Sequence, residues 1–220
     1  MIIAIDGPLG VGKSSVAKEV AKRLGFTYID TGAMYRAFAL KTIDRGIDKE
    51  DIKSIINLLK NTDIKLSYKN GELQVYLDGI EITDKIRDEK VSQRASQVAS
   101  IKEVREYMVS LQRRFGEEYK NIVIEGRDTG TVIFPNAELK IFLTAPVEVR
   151  IQRRYKQLLE KGFNVDYEKF VKDFMEREFR DNTRKVNPLR PAEDSVIVDT
   201  GNMSFEEVVN RILSLAKEVM

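Results

Sequence analysis

The residues best suited to chemistry in this 220-residue chain stand near its start. Gly7-Pro8-Leu9-Gly10-Val11-Gly12-Lys13-Ser14 fits the pattern G-x-x-x-x-G-K-[ST] at every position. Glycines let backbone amides converge on phosphate oxygens, and a helix opening at the loop's end adds its N-terminal dipole. Lys13 can then reach the β- and γ-phosphates of a nucleotide, and Ser14 or Ser15 can enter the shell of a Mg²⁺ ion. This is a phosphate-binding loop (P-loop), and it lies after a short apolar run and before a helical pattern, where the motif has to be.

Arginines form the second set. Asp30-Thr31-Gly32-Ala33-Met34-Tyr35-Arg36 follows a short strand and begins a helix, a second terminus friendly to anions. Glu125-Gly126-Arg127-Asp128 closes an apolar strand, at the carboxyl edge where open α/β sheets bind ligands. Arg177, Arg180 and Arg184 recur at spacings of three and four, as if one helix presented them all, with Asp181 on the same general face. Arg150, Arg153 and Arg154 open the helix before, and their plain reading is a solvated face with i,i+4 carboxylate pairs. Positive charge around a migrating phosphoryl group is what phosphoryl transfer requires.

What is missing narrows the chemistry further. The chain has no Cys and no His, so disulfides, thiolate nucleophiles, Ser-His-Asp triads and the usual zinc enzymes are excluded. Lys and Arg number 37 against 35 Asp and Glu, a net charge of +2, with no electrostatic footprint for nucleic acid or an anionic membrane. The longest stretch free of charged residues, Thr129 to Ala137, is far short of a membrane span. Met1 leads straight into Ile2-Ile3-Ala4-Ile5 without a basic leader, and the expectation is a soluble, cytoplasmic protein.

The elements that must position these residues alternate. Ile2–Ile5, Ile122–Ile124, Leu139–Leu143 and Val196–Val198 read as buried strands, with a weaker one around Tyr28-Ile29. Helical patterns run over about Lys13–Leu24, Ala33–Arg45, Lys49–Asn61, Val91–Ala99, Glu103–Tyr119, Pro146–Lys161, Tyr167–Thr183 and Phe205–Val219. Such alternation argues for a mostly parallel sheet covered on both faces. From Asp63 to Ile82 the period changes to two, with turn signals at Asn70-Gly71 and Asp78-Gly79, which predicts a small antiparallel meander inserted into the α/β core. No N-K-x-D motif marks a GTPase, and the length favours a kinase of a small metabolite over a large ATPase machine.

Taken together these blocks resemble the bacterial cytidylate kinases, nucleoside-monophosphate kinases that phosphorylate CMP and dCMP. The likeness covers essentially the whole chain: the P-loop, D-T-G-A-M-Y-R, E-G-R-D-T-G-T-V-I-F-P from Glu125, K-I-F-L-T-A from Lys140, and R-x-x-x-R-x-x-x-P-L ending at Leu189. The resemblance implies a three-layer α/β fold with a five-stranded parallel sheet, the β insertion in the monophosphate-binding region, and a short lid. It implies one domain over 1–220, with a core of 1–35, 120–150 and 190–220, a monophosphate-binding region of about 36–119, and a lid with its arginine helix at about 151–189. It also implies ATP as donor, Mg²⁺ and a monomer. ATP would lie on Gly7 to Ser15. Arg36 and Arg127 would hold the acceptor's α-phosphate, beside Thr31 and Tyr35. Ser96, Arg105 and Asp128 would read cytosine, and Asp181, with Arg177 and Arg184, would meet the sugar and the closing lid. Lys13, Arg127, Arg177 and Arg184 are the expected catalytic set.

The departures are small. Ser14 stands where many relatives have Gly, Glu125 where Asp is common, and Phe179 where the residue can be acidic. The rival readings are a uridylate, thymidylate or shikimate kinase on the same cradle, or a catalytically silent nucleotide-binding module.

Overall fold

A computed structural model describes residues 1–69 and 72–220. In chain order the first elements are β1 Ile2–Asp6, α1 Lys13–Leu24, β2 Thr27–Asp30, α2 Thr31–Asp44 and α3 Ile52–Lys60. There follow β3 Ile64–Lys69, β4 Glu72–Leu77, β5 Ile80–Glu81, α4 Glu89–Val98 and α5 Lys102–Glu117. The chain ends with β6 Ile122–Gly126, β7 Leu139–Thr144, α6 Val147–Glu160, α7 Tyr167–Thr183, β8 Val196–Asp199 and α8 Phe205–Val219. Five strands form a parallel sheet in the order β2-β6-β1-β7-β8, and three form a small antiparallel sheet, β3-β4-β5. The expected α/β fold and its β meander are both present.

The chain divides into two compact units, one of residues 1–28, 119–183 and 187–220, the other of residues 29–118 and 184–186. In the first, parallel strands need both faces covered. Ile3, Ile5, Val123, Ile141 and Leu143 face a core shared with Val16, Val20, Val209 and Ile212 of α1 and α8. By the period of two, Ala4, Ile122 and Ile124 face the other way, and they are as fully buried. Register does the positioning: Asp6 lies beside Gly126 on one side and Phe142 on the other. The loops that leave β1 and β6 therefore start next to each other at the carboxyl edge. A capping box at Ser204 and Glu207 starts α8, as its spacing predicts.

The second unit is built around α2, which is buried on nearly every side because Ala33, Met34, Ala37, Phe38 and Ala39 are small or apolar. In its hairpin, Ile64 faces Leu77 and Leu66 faces Val75, and all four are buried. Asp78 and Gly79 both take positive φ, 50° and 81°, so the second turn is the two-residue kind that a D-G pair favours. The Asn70-Gly71 turn lies outside the described residues.

Two expectations need correcting. Helix α2 begins at Thr31 rather than Ala33, because the Asp30 carboxylate caps it by accepting from Ala33 N at 3.0 Å. Helix α7 stops at Thr183, so Arg184 is not on it and groups with the second unit, while Arg177 and Asp181 belong to the first. The helix ends there because Asn187 turns to φ 50°, Pro188 cannot continue it, and the Asp181 carbonyl accepts from Leu189 N at 2.8 Å.

Candidate active site

The loop from Gly7 to Gly12 is fitted closely to its surroundings. A Cβ on Gly7 would stand 2.4 Å from Leu143 O, and one on Gly10 would stand 2.5 Å from Arg150 O. Both obstacles are backbone and cannot move aside, so the packing itself demands glycine. Helix α1 starts at Lys13, and its N-cap is Gly12, which has no side chain to cap the first turn. Its N-terminal amides and dipole are turned to the loop, the arrangement that binds phosphate.

Lys13 is only 6% exposed, and its Nζ donates to Pro8 O at 2.8 Å. Burial first, and then the Arg127 charge, lower its pKa to about 7, against the opposing pull of Glu125 and Asp6. Arg177 acts on it in the same direction as Arg127. Three cations thus crowd one anion-binding loop. Arg127 donates from Nε to Asp181 and from NH1 to Gly7 O, both at 3.0 Å. Glu125 accepts from Ser14 Oγ at 2.6 Å. This pair offers two hard oxygen donors at the mouth of α1, a donor set suited to Mg²⁺.

Asp6 ties the two loops together. It accepts from Thr129 N and Oγ1 at 2.9 and 2.7 Å and from Gly130 N at 2.8 Å. Burial pushes its carboxyl up, and those three hydrogen bonds pull it back. Behind Asp128 the chain makes one wide helical turn, Thr129–Ile133, and the Asp128 carbonyl accepts from Val132 N and Ile133 N. Asp128 itself is buried.

Among the residues expected to take the acceptor, Thr31, Tyr35, Arg36, Ser96 and Arg105 lie in the second unit, and Arg127, Asp128 and Asp181 lie in the first. Arg36 pairs with Asp30 at 2.6 Å. The Arg105 guanidinium sits 5.6 Å from the centre of the Tyr35 ring and donates to Ala99 O at 3.3 Å. Thr31, Ser96 and Arg105 are all buried.

A profile of the family described as "Cytidylate kinase" matches residues 3–218. The chain is 46% identical to a "Cytidylate kinase" of Caldicellulosiruptor saccharolyticus, covering 99% of this chain and 96% of that one. It is 43% identical to one from Fusobacterium nucleatum, covering 100% and 98%. The chain belongs to the cytidylate kinase family. Among solved structures, an uncharacterized protein from Eubacterium ventriosum shares the fold, with a TM-score of 0.53 at 14% identity over 99% of this chain and 98% of that one.

In this member of the cytidylate kinase family, the first unit also holds a cavity that sequence reasoning passed over. It measures about 210 Å³ and is lined by Val11, Ser15, Arg153, Thr200, Met203 and Phe205. Arg153 closes it by donating to Thr200 Oγ1 at 2.9 Å and to Thr200 O at 2.7 Å. Met203 and Phe205 follow the carboxyl end of β8, and an apolar pair at a strand's carboxyl end was the signal available in the sequence. Arg150 departs from its plain reading as well. It is 5% exposed and bonded on every side, with no solvated face. No helix among the described residues is long and apolar enough to cross a membrane.

Proposed function

We propose that this protein transfers the γ-phosphoryl group of ATP directly to CMP or dCMP, giving ADP and the nucleoside diphosphate. The observation that carries this reading is an intact nucleotide-binding loop, with Lys13 buried in it, in a chain 43–48% identical to cytidylate kinases over nearly its whole length.

The donor's phosphates bind the amides of residues 7–15 and the Lys13 ammonium, and the purine enters the cavity between Arg153 and Phe205. Arg127 and Arg36 take the acceptor's α-phosphate. Ser96, Arg105 and Asp128 read the cytosine, Asp181 meets the sugar, and Thr31 and Tyr35 line the acceptor's path. The attacking atom is an oxygen of a phosphate that is mostly doubly ionised at neutral pH, its second pKa being about 6. No side chain has to remove a proton, which suits a chain without His or Cys. Lys13, Arg127, Arg177 and Arg184 then offset the charge that builds on the transferring group, the main task in such a transition state. Ser14 or Ser15 would hold Mg²⁺, directly or through water, and the ion would supply further neutralisation of charge on the donor's phosphates.

Under the same reading the protein acts in the cytoplasm as a monomer, and light scattering at the mass of one 25.2 kDa chain tests the latter. The deciding experiment is coupled ADP release with ATP·Mg²⁺ against CMP, dCMP, UMP, dTMP and shikimate. Turnover on the cytidine nucleotides well above the rest is expected. Preference for any other acceptor overturns the assignment.

A further inference from the structure

Arg150 makes four hydrogen bonds from the first turn of α6. Its Nε donates to Ala145 O at 3.0 Å, and its NH1 donates to Leu9 O in the phosphate-binding loop at 3.0 Å. NH1 and NH2 also grip the Glu178 carboxylate of α7 at 2.8 and 2.6 Å, in the forked geometry that suits guanidinium to carboxylate. The guanidinium also faces the Phe174 ring of α7, 5.9 Å from its centre. Glu178 adjoins Arg177 and stands three residues before Asp181, which binds Arg127, which in turn binds Gly7 O. Helix α7 is thus tied to the loop at two carbonyls, Gly7 and Leu9, through two arginine–carboxylate pairs.

The peptide plane gives the Leu9 bond its consequence. Leu9 C=O and Gly10 N–H belong to one planar trans unit and point in opposite directions. A guanidinium that holds the carbonyl therefore aims the Gly10 N–H to the opposite side. Gly10, at φ 77°, has the backbone freedom to let that peptide turn over if the hold is lost. Glu178 keeps the guanidinium in place and sets the height of α7, and so of Arg177, relative to the loop.

From this geometry we infer that Arg150 and Glu178 are positioning residues for phosphoryl transfer, fixing the Leu9–Gly10 peptide and registering α7 against the phosphate-binding loop. The inference rests on the phosphotransferase reading above, and it adds two residues that touch neither the phosphates nor the acceptor.

The test compares Arg150→Ala, Arg150→Lys, Glu178→Gln and the double variant Arg150→Ala/Glu178→Gln. A misplacement of about 1 Å near the reacting groups costs on the order of 100-fold in rate, and Arg150→Ala should lower kcat by about that factor. Lysine cannot serve Leu9, Ala145 and Glu178 together, so Arg150→Lys should fall between Arg150→Ala and the parent. Glu178→Gln should lower kcat by less than Arg150→Ala, and the double variant should be no slower than Arg150→Ala alone, because Glu178 acts through Arg150. CMP affinity, measured calorimetrically without ATP, should stay within about twofold of the parent.

ATP hydrolysis without acceptor, which uses the donor site alone, should fall in parallel. That readout decides the role of Arg150 even if the preferred acceptor proves not to be CMP. Variants that melt earlier but keep kcat within twofold would make the network merely structural and overturn the inference, as would losses that multiply in the double variant. If Arg150→Ala does not fold, Arg150→Lys and Glu178→Gln carry the same comparison.

Discussion

Arg127 spends its Nε on Asp181 and its NH1 on the Gly7 carbonyl, each at 3.0 Å, so the guanidinium proposed for the acceptor phosphate is already anchored on two sides. An arginine held this way loses little side-chain entropy when a phosphate arrives. Asp181 is buried, and the Arg127 guanidinium pairs with its carboxylate. Arg127→Ala should therefore do two separate things. It should lower kcat/KM for CMP by about 10²–10³, the usual effect of removing one preorganised donor from a transition state. It should also lower the melting temperature, since a buried ion pair loses one of its members. Steady-state kinetics beside thermal unfolding check both, and an unchanged kcat/KM for CMP removes Arg127 from the phosphate site.

Lys13 predicts its own pH signature. The folded chain releases this proton at about 7, whereas an unfolded lysine keeps it up to the ordinary 10.5. Between those values the unfolded state binds more protons, so this lysine makes stability rise with pH across that window. Below pH 7 both states are protonated and the cost of burying the charge is present in full. Lys13→Met removes the cost. The variant should be more stable than the parent at neutral and lower pH, and the gap should close toward pH 10. Urea midpoints across that range test the sign; a gap that does not change with pH refutes the depressed pKa. The same variant should lose at least about two orders of magnitude in kcat while folded, given the role proposed for Lys13 in offsetting charge on the transferring group.

ATP should bind Lys13 in its charged form. Phosphate oxygens beside the ammonium raise its pKa, so binding takes up a proton wherever the free lysine is neutral, above about pH 7. Affinity for ATP should be flat below that pH and fall above it, with an uptake approaching about one proton near pH 9. Calorimetry in buffers of different ionisation heat measures this uptake directly. No uptake in the parent, or the same uptake in Lys13→Met, assigns the proton elsewhere.

The donor cradle was legible because every demand it makes is local. Gly7, Gly10, Lys13 and the start of α1 sit within a few residues of one another, and a strand–loop–helix pattern contains them all. The parallel strands were legible for a similar reason, as short apolar runs between helical periods. What escaped was set by distant partners. The plain reading of Arg150 was a solvated helix residue, since nothing in its neighbourhood reveals Leu9 and Glu178, 141 and 28 residues away. The end of α7 was misjudged for Arg184, because a spacing of three and four continues past Thr183 although the backbone does not. The wide turn at Thr129–Ile133 depends on the Asp6 carboxylate, which approaches from β1, 123 residues earlier.

We propose that Asp128 carries the choice of base. Cytosine presents an N4 amino donor where uracil presents O4, an acceptor. A carboxylate only accepts hydrogen bonds when ionised, so Asp128 suits the amino group and repels O4. Arg105 can donate to N3 or O2 of cytosine, while the Ser96 hydroxyl can either donate or accept and so discriminates little. One good charged contact to a base edge is worth about 1–3 kcal/mol of discrimination, or roughly 5- to 150-fold. Asp128→Asn supplies an amide that can turn its NH₂ toward O4, and the CMP:UMP ratio of kcat/KM should shrink by a factor in that range. Asp128 also heads the wide turn after β6, but it does so through its backbone carbonyl, which asparagine retains. A fall in both substrates by the same factor would therefore point to damage of the loop rather than to base reading. A variant that keeps the parent ratio on both nucleotides shows that Asp128 does not read the base, and selectivity would then rest on Arg105 and Ser96.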